Sequence, residues 1–138
     1  MGKRILFVDG DQTIVEKVNT MLEEMGYQVR METSGTDALA AFSGNPGGYD
    51  LVITDLGMPD ISGLLLAERL LRMRGDIPIV LLTNLDGEKL SRARETGIRW
   101  FGKKPISVTD LAETVRCALT EQANPIPDLR ITDGPLAP

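Results

Sequence analysis

Residues 51–63 have the sequence LVITDLGMPDISG, and this stretch decides the fold class. The run at residues 51–54 predicts a strand buried on both faces of a sheet, and a polar loop follows it. Ser62 then stands where the N-cap of a leucine-rich helix is expected, and that helix ends near Gly75. A buried strand, a loop and an amphipathic helix in this order are the repeating unit of parallel α/β sheets.

The same unit recurs along the chain. Strands are predicted near residues 5–8, 27–31, 51–54, 79–82 and 98–103, and a helix follows each of them. The first, third and fourth strands are apolar throughout, as central strands are, whereas apolar and polar residues alternate in the second and fifth. We therefore predict an α/β fold: a flavodoxin-like, doubly wound, five-stranded parallel sheet with strand order 2-1-3-4-5 and helices on both faces.

Two of these elements have weaker patterns. In the fifth strand Trp100 alternates with Phe101, which is typical of an edge strand with one exposed face. The helix predicted at residues 86–95 offers only Leu90 and Ala93 as an apolar face. We expect this helix to be loosely held.

Charge and composition exclude several classes of function. Fifteen Lys and Arg against twenty Asp and Glu give a net charge of −5, which argues against charge-driven binding to nucleic acid or to an anionic membrane. The chain has no His, so His-based acid–base catalysis and His-ligated zinc are excluded. Cys117 is the single cysteine, and no apolar run approaches the ~20 residues of a membrane span. We expect a cytoplasmic protein that binds neither nucleic acid nor membranes directly.

The composition changes at residue 124. From there to residue 138 prolines are frequent and apolar residues are few. We predict one domain at residues 1–123 and a proline-rich tail or linker at residues 124–138.

Chemically active side chains stand at the predicted carboxyl ends of the strands. Asp9 and Asp11 follow the first strand, Asp55 follows the third, Thr83 the fourth and Lys104 the fifth. In open parallel sheets, sites form at this edge, near the point where the strand order reverses. Crowded carboxylates repel one another unless a cation holds them, and Mg²⁺ prefers one or two carboxylates with waters and phosphate oxygens. We therefore expect a Mg²⁺-dependent phosphate site, in which Asp11 is a ligand, the N-cap of the first helix, or both.

The motifs at this edge have a recognisable combination. The segment Asp55-Leu56-Gly57-Met58-Pro59 with Gly63, together with Thr83 and Lys104-Pro105, resembles the receiver domain of bacterial two-component response regulators. The resemblance covers residues 3 to about 122.

The resemblance implies a role for each matching residue. Asp55 is implied as the phosphoacceptor, and Thr83 and Lys104 as contacts of the phosphoryl group. Asp9, Asp55 and the backbone carbonyl of Gly57 are implied as Mg²⁺ ligands. Phe101 matches the switch aromatic of the family, whose rotation reports movement of Thr83.

One position departs from the family pattern. The family has adjacent acidic residues after the first strand, and the second of them ligates Mg²⁺ directly, but here Asp9 is followed by Gly10. Glycine offers no carboxylate, so Mg²⁺ binding depends on whether Asp11 takes its place. A second hypothesis therefore stays open, namely a receiver-like binding module that works without phosphorylation.

A weaker resemblance connects Asp9-Gly10-Asp11-Gln12-Thr13 to the Asp-x-Asp-x-Thr motif of the haloacid dehalogenase superfamily. It implies a phosphatase with Asp9 as the nucleophile and Asp11 as the general acid and base. The last acidic motif of that superfamily has no counterpart before the proline-rich tail, and the Asp55 segment would have no role. The receiver resemblance is therefore the stronger of the two.

The receiver resemblance also implies partners. The chain is expected to take a phosphoryl group from a sensor histidine kinase or a phosphotransfer protein and to change its binding to a downstream protein partner or output domain. Its only catalysis would be its own phosphorylation and dephosphorylation. Receivers commonly form homodimers or bind partners through the face from the fourth helix to the fifth helix. On this part of the sequence we expect an interaction surface formed by Lys89, Arg92, Arg94 and Arg99.

Overall fold

The computed structural model describes residues 2–84 and 87–122 of the chain. In chain order the elements are β1 (Arg4–Val8), α1 (Gln12–Glu24), β2 (Gln28–Glu32), α2 (Gly35–Gly44), β3 (Leu51–Asp55), α3 (Gly63–Met73), β4 (Ile79–Thr83), α4 (Gly87–Thr96), β5 (Trp100–Lys103) and α5 (Val108–Leu119). A short 3₁₀ helix, Pro46–Gly48, precedes β3. The predicted alternation of strands and helices is confirmed. The predicted tail at residues 124–138 lies outside the described residues.

The sheet has the predicted topology. Its strands are all parallel and follow the order β2-β1-β3-β4-β5. Val8, at the end of β1, lies opposite Thr54 of β3, and Asp55 lies opposite Leu82 of β4. The carboxyl ends of β1 and β3 are therefore neighbours at the point where the strand order reverses, which is where such sheets form sites.

The helices cover both faces of the sheet, as predicted. One apolar cluster joins the sheet to α1 and α5 through buried residues such as Val18 and Val115. The other joins it to α2, α3 and α4 through Phe42, Leu66 and Leu90. Among the described residues, no helix combines the length and the apolar content that crossing a bilayer requires.

Short polar side chains begin four of the helices. The N-cap residues are Asp11, Ser34, Ser62 and Ser107, and each accepts a hydrogen bond from a backbone N–H in the first turn of its helix. Such a cap stabilises a helix by about 1 kcal/mol relative to alanine. The cap predicted at Ser62 is confirmed. At the end of α1, Gly26 has a φ of 97°, a conformation that favours glycine.

Two side chains differ from the alternation predicted for the edge strands. Phe101 of β5 is fully buried, as Trp100 is almost fully, because α4 packs on one face of β5 and α5 on the other. Met31 of β2 is 38% exposed although it belongs to the apolar set of that strand. Burial of an edge strand thus depends on which helices lie over it, and that information is not in the strand's own sequence.

Residues that follow α5 form a hydrogen bond and an ion pair with residues at or directly before the start of β5. The Trp100 indole Nε1 donates a hydrogen bond to the carbonyl oxygen of Gln122 at 2.7 Å. The Arg99 guanidinium lies 4.4 Å from the centroid of the Trp100 ring and pairs with Glu121 at 3.0 Å. These contacts fix the last described residues against the strand that leads to Lys104.

Helix α4 is held by a small apolar face, as the sequence predicts. Leu90 and Ala93 are its buried residues, whereas α5 buries five. Less apolar area removed from water means a smaller free-energy cost of displacing α4 than of displacing α5.

Candidate functional site

The sheet brings the predicted site residues to one edge. Asp9 follows β1, Asp55 ends β3, Thr83 ends β4 and Lys104 follows β5. Asp9 and Thr83 are 1% and 3% exposed, so both polar side chains are buried. The backbone N–H of Lys104 donates to the carbonyl oxygen of Thr83 at 3.0 Å, which holds the two strand ends in register beyond the sheet.

Lys104 lies between two carboxylates. Its Nζ is 3.2 Å from Oδ2 of Asp9 and 3.1 Å from Oδ1 of Asp55. Burial alone would lower the pKa of Lys104. The hydrogen bond with Asp55 and the attraction of both carboxylates outweigh that effect, so the pKa lies above its ordinary value. Lys104 is therefore a permanent cation that partly neutralises Asp9 and Asp55.

The pKa of Asp55 is also raised, mainly because burial disfavours the charged carboxylate. The hydrogen bond from Lys104 lowers the pKa, and the repulsion from Asp9 raises it again. With a raised pKa, the Asp55 carboxylate is a stronger base and so a better nucleophile than an exposed aspartate.

Two cavities flank Asp55. The first, of about 310 Å³, is lined by Asp55, Leu56, Gly57, Thr83, Asn84, Lys89 and Lys104, and we call it the lysine cavity. The second, of about 610 Å³, is lined by Asp9, Gly10, Asp11, Gln12, Ile14, Asp55, Gly57, Pro59 and Lys104, and we call it the acidic cavity. Asp55, Gly57 and Lys104 line both.

The loop between β3 and α3 folds tightly against the end of β3. The N–H of Gly63 donates to the carbonyl oxygen of Leu56 at 2.8 Å. A Cβ atom on Gly63 would lie 2.2 Å from the backbone oxygen of Asp55, which is closer than any real contact allows. Glycine is therefore required at this position for the loop to place Gly57 beside Asp55.

Asp60 anchors the same loop from its other side. Its two carboxylate oxygens accept hydrogen bonds from the backbone N–H groups of Gly35 and Thr36, at 3.0 and 2.7 Å. The side-chain and backbone hydrogen bonds from Thr36 hold the pKa of Asp60 well below its ordinary value. The carboxylate thus supplements Ser34 at the start of α2.

Asp11 has the structural role that the sequence allows it. Its Oδ1 accepts hydrogen bonds from the N–H groups of Thr13 and Ile14, at 2.9 and 3.3 Å, so it is the N-cap of α1. Its own N–H donates to Oδ1 of Asp9 at 2.9 Å. Asp11 therefore fixes the orientation of the Asp9 carboxylate as well as the start of the helix.

Comparison with known proteins agrees with this geometry. The family model described as the response regulator receiver domain matches residues 5–116. The chain belongs to this family. The match spans both the Asp9 segment and the Asp55 segment, so the stronger of the two resemblances is confirmed.

The receiver domain has relatives among both sequences and solved structures. It is 31% identical over 127 residues to an uncharacterized transcriptional regulatory protein, YkoG, of Bacillus subtilis, covering 91% of this chain and 54% of that protein. It is 32% identical over 117 residues to the response regulator SaeR of Staphylococcus aureus, covering 84% of this chain and 50% of that protein. The chain thus spans about half the length of these two relatives.

A solved receiver domain has the same fold. The crystal structure of a response regulator receiver domain protein from Clostridium thermocellum superimposes with a TM-score of 0.82 at 27% identity, covering 86% of this chain and 95% of that one. The predicted flavodoxin-like architecture is confirmed by this likeness as well as by the strand order.

The residues of the acidic cavity fit a magnesium ion. Asp9, Asp55 and Gly57 line it together, which offers two carboxylates and a backbone carbonyl oxygen. Within residues 2–84 and 87–122, no group of three or more acidic, His or Cys side chains is placed to hold a metal. Mg²⁺ needs few protein ligands, because it keeps several waters and takes phosphate oxygens as further ligands. Gly10, which also lines the acidic cavity, offers no carboxylate to a metal ion.

The four basic residues expected to form one surface have different surroundings. Arg94 lies over the ring of Phe101, 5.0 Å from its centroid. Arg99 pairs with Glu121, and Arg92 lines a separate cavity between α3 and α4. Lys89 lines the lysine cavity beside Asp55. The interaction surface that these four residues are expected to form stays a prediction.

Sequence reasoning missed two contributions to the site. The position of Lys89 depends on the rotation of α4 about its axis, which no sequence pattern shows. The role of Asp60 depends on a contact with residues 24 and 25 positions earlier in the chain. The Met58-Pro59 turn before Asp60 indicates a structured loop, but it does not indicate which helix the loop contacts.

Proposed function

We propose that Asp55 of this receiver domain takes a phosphoryl group from the phosphohistidine of a sensor histidine kinase or a phosphotransfer protein, with Mg²⁺ as cofactor. The position of Lys104 carries the proposal, because its ammonium contacts both Asp9 and Asp55 beside a cavity that Thr83 also lines. A carboxylate nucleophile, a cation and a hydroxyl surround a space that admits a phosphoryl group. This arrangement suits phosphoryl transfer, which depends mainly on positioning and charge neutralisation.

In the proposed reaction an oxygen of Asp55 forms a bond to phosphorus while the bond between phosphorus and the donor's imidazole nitrogen breaks. The electron pair of the broken bond leaves with the imidazole, and an acyl phosphate remains on Asp55. Lys104 contacts the Asp55 carboxylate before transfer and pairs with a phosphoryl oxygen after it, and the hydroxyl of Thr83 donates to another. Asp9, Asp55 and the Gly57 carbonyl would hold Mg²⁺, which would neutralise part of the phosphoryl charge.

The proposed output is a shift between two arrangements of Thr83, Phe101 and α4. Only contacts that exist in one state can move such a balance, and the hydrogen bond from Thr83 to the phosphoryl group is such a contact. Movement of α4 costs little, because Leu90 and Ala93 are the residues that it buries. In this proposal the change alters binding to a downstream partner or output domain, or homodimerisation through the face from α4 to α5, in the cytoplasm.

Mapping the phosphorylated residue tests this proposal. The protein is treated with Mg²⁺ and a small acyl phosphate, the acyl phosphate formed is reduced with borohydride, and the modified residue is located by mass spectrometry. We expect modification at Asp55 and none in Asp55→Asn. Modification at Asp9 would overturn the proposal in favour of the phosphatase resemblance.

Gly10 favours a second candidate function, a binding module that works without phosphorylation. The acidic cavity has two carboxylates besides the capping Asp11, so its affinity for Mg²⁺ is expected to be lower than with a third. Calorimetric titration distinguishes the two functions: no Mg²⁺ binding at millimolar concentration, with no modification of Asp55, supports this candidate and contradicts the first.

A further inference from the structure

Lys89 is a second lysine that lines the lysine cavity. It is on the first turn of α4 and lines the same space of about 310 Å³ as Asp55, Thr83 and Lys104. The sequence predicts Lys89 as part of an interaction surface, and the family resemblance assigns it no contact with the phosphoryl group. The structure instead places it beside the carboxylate that the proposed function phosphorylates.

Phosphorylation of Asp55 changes the balance of charge near Lys89. Before transfer, the single ammonium of Lys104 faces the two carboxylates of Asp9 and Asp55. A phosphoryl group on Asp55 replaces one negative charge by about two. In the proposed function Lys104 pairs with one phosphoryl oxygen, and Lys89 lines the same cavity as Lys104 and Asp55, so it is a second cation available to the added charge.

We propose that Lys89 is a second phosphoryl-binding residue, whose ammonium pairs with an oxygen of the phosphoryl group on Asp55. This inference rests on the proposed function and adds a contact between the phosphoryl group and α4 itself. Because the apolar face of α4 consists of Leu90 and Ala93, one ionic contact on its first turn is a substantial part of what holds the helix in place. The phosphorylation state would then act on α4 directly, in parallel with Thr83 and Phe101.

Beryllofluoride, which forms a phosphoryl-like adduct with a carboxylate, tests the proposal. Its affinity is measured in the presence of Mg²⁺ for the unaltered protein, Lys89→Gln, Lys89→Arg and Lys103→Gln. Lys103 is a matched control, because it is an exposed lysine that ends β5 and does not line either cavity beside Asp55. Both glutamine variants make the net charge more negative by one, so a general charge effect would be equal in the two.

We expect Lys89→Gln to weaken beryllofluoride binding about fivefold, the upper range for one solvent-accessible ion pair, and Lys103→Gln to leave it unchanged. Lys89→Arg should restore the affinity, and the difference between the two glutamine variants should shrink as salt is added. Equal affinities of the two glutamine variants would overturn the role of Lys89 while leaving the proposed function intact. Absence of binding by the unaltered protein would overturn both.

Discussion

The two cavities beside Asp55 are lined by opposite kinds of side chain. The acidic cavity has Asp9, Gly10 and Asp11 along the start of α1, and the lysine cavity has Thr83 and Lys89 at the approach to α4. The acidic cavity has Gly10 at the position where the receiver resemblance implies a second carboxylate, and the lysine cavity is lined by Lys89, a lysine that the resemblance does not imply there. Both differences make the surroundings of Asp55 less negative. In the proposed function, this site would therefore favour an anion through its own side chains as well as through a metal.

The largest expected effect is at Asp55, one of the three residues that line both cavities. Asp55→Asn removes the nucleophile and should abolish phosphorylation by a small acyl phosphate, measured as incorporation of phosphate. Asp9→Asn keeps the nucleophile and should slow the reaction without moving its position. If Asp55→Asn were still phosphorylated at the normal rate, Asp55 would not be the nucleophile.

Removal of the Lys104 ammonium should lower the stability of the folded protein. Lys104→Gln leaves Asp9 and Asp55 buried with no ammonium between them, and we expect a loss of about 2 kcal/mol in the free energy of unfolding. The measurement is urea denaturation, with Lys103→Gln as the control at an exposed site. Millimolar Mg²⁺ should restore part of the loss, because it provides another cation between the carboxylates.

An additional carboxylate in the acidic cavity should increase the difference in charge between the two cavities. Gly10→Asp should raise the affinity for Mg²⁺ about tenfold, measured by calorimetric titration. A Cβ atom at this position would lie 3.0 Å from Cδ of Pro59, so the exposed proline ring must shift slightly. Gly10→Asn is the control with equal bulk and no charge, and an equal gain in that variant would contradict the electrostatic explanation.

The smallest expected effect concerns pH. The pKa of Asp55 is higher in the folded protein than in the unfolded chain, so its charged form costs stability at neutral pH, and this cost disappears as the pH falls through the folded pKa. Asp55→Asn should therefore be more stable than the unaltered protein at pH 7, and the two should converge in acid. Phosphorylation should decline at a higher pH than expected for an exposed aspartate. Parallel stability curves of the two proteins would contradict the raised pKa.

The fold could be predicted almost completely from local patterns. Apolar runs identify the central strands, and Ser62 and Ser107 identify helix starts, because a cap needs only its own first turn. The gathering of Asp9, Asp55 and Lys104 could also be predicted, since the topology places the strand ends together.

Other features depend on packing between distant segments. Phe101 is buried because α4 covers its face of β5, and the sequence of the strand does not show which helix packs on it. The capping of α2 by Asp60 joins two loops across the edge of the sheet. The position of Lys89 depends on how α4 is rotated about its axis. The sequence predicts that rotation poorly, because only Leu90 and Ala93 define the apolar face of α4.

The attachment of Trp100 to the end of α5 provides the protein with an optical probe. Trp100 is the only tryptophan in the chain, so all indole fluorescence comes from the ring that donates to Gln122 and stacks beneath Arg99. Release of Gln122 would expose this ring to water and move its emission to longer wavelength. Emission recorded during addition of beryllofluoride would therefore report, without any label, whether a change at Asp55 reaches the point where the chain continues beyond α5.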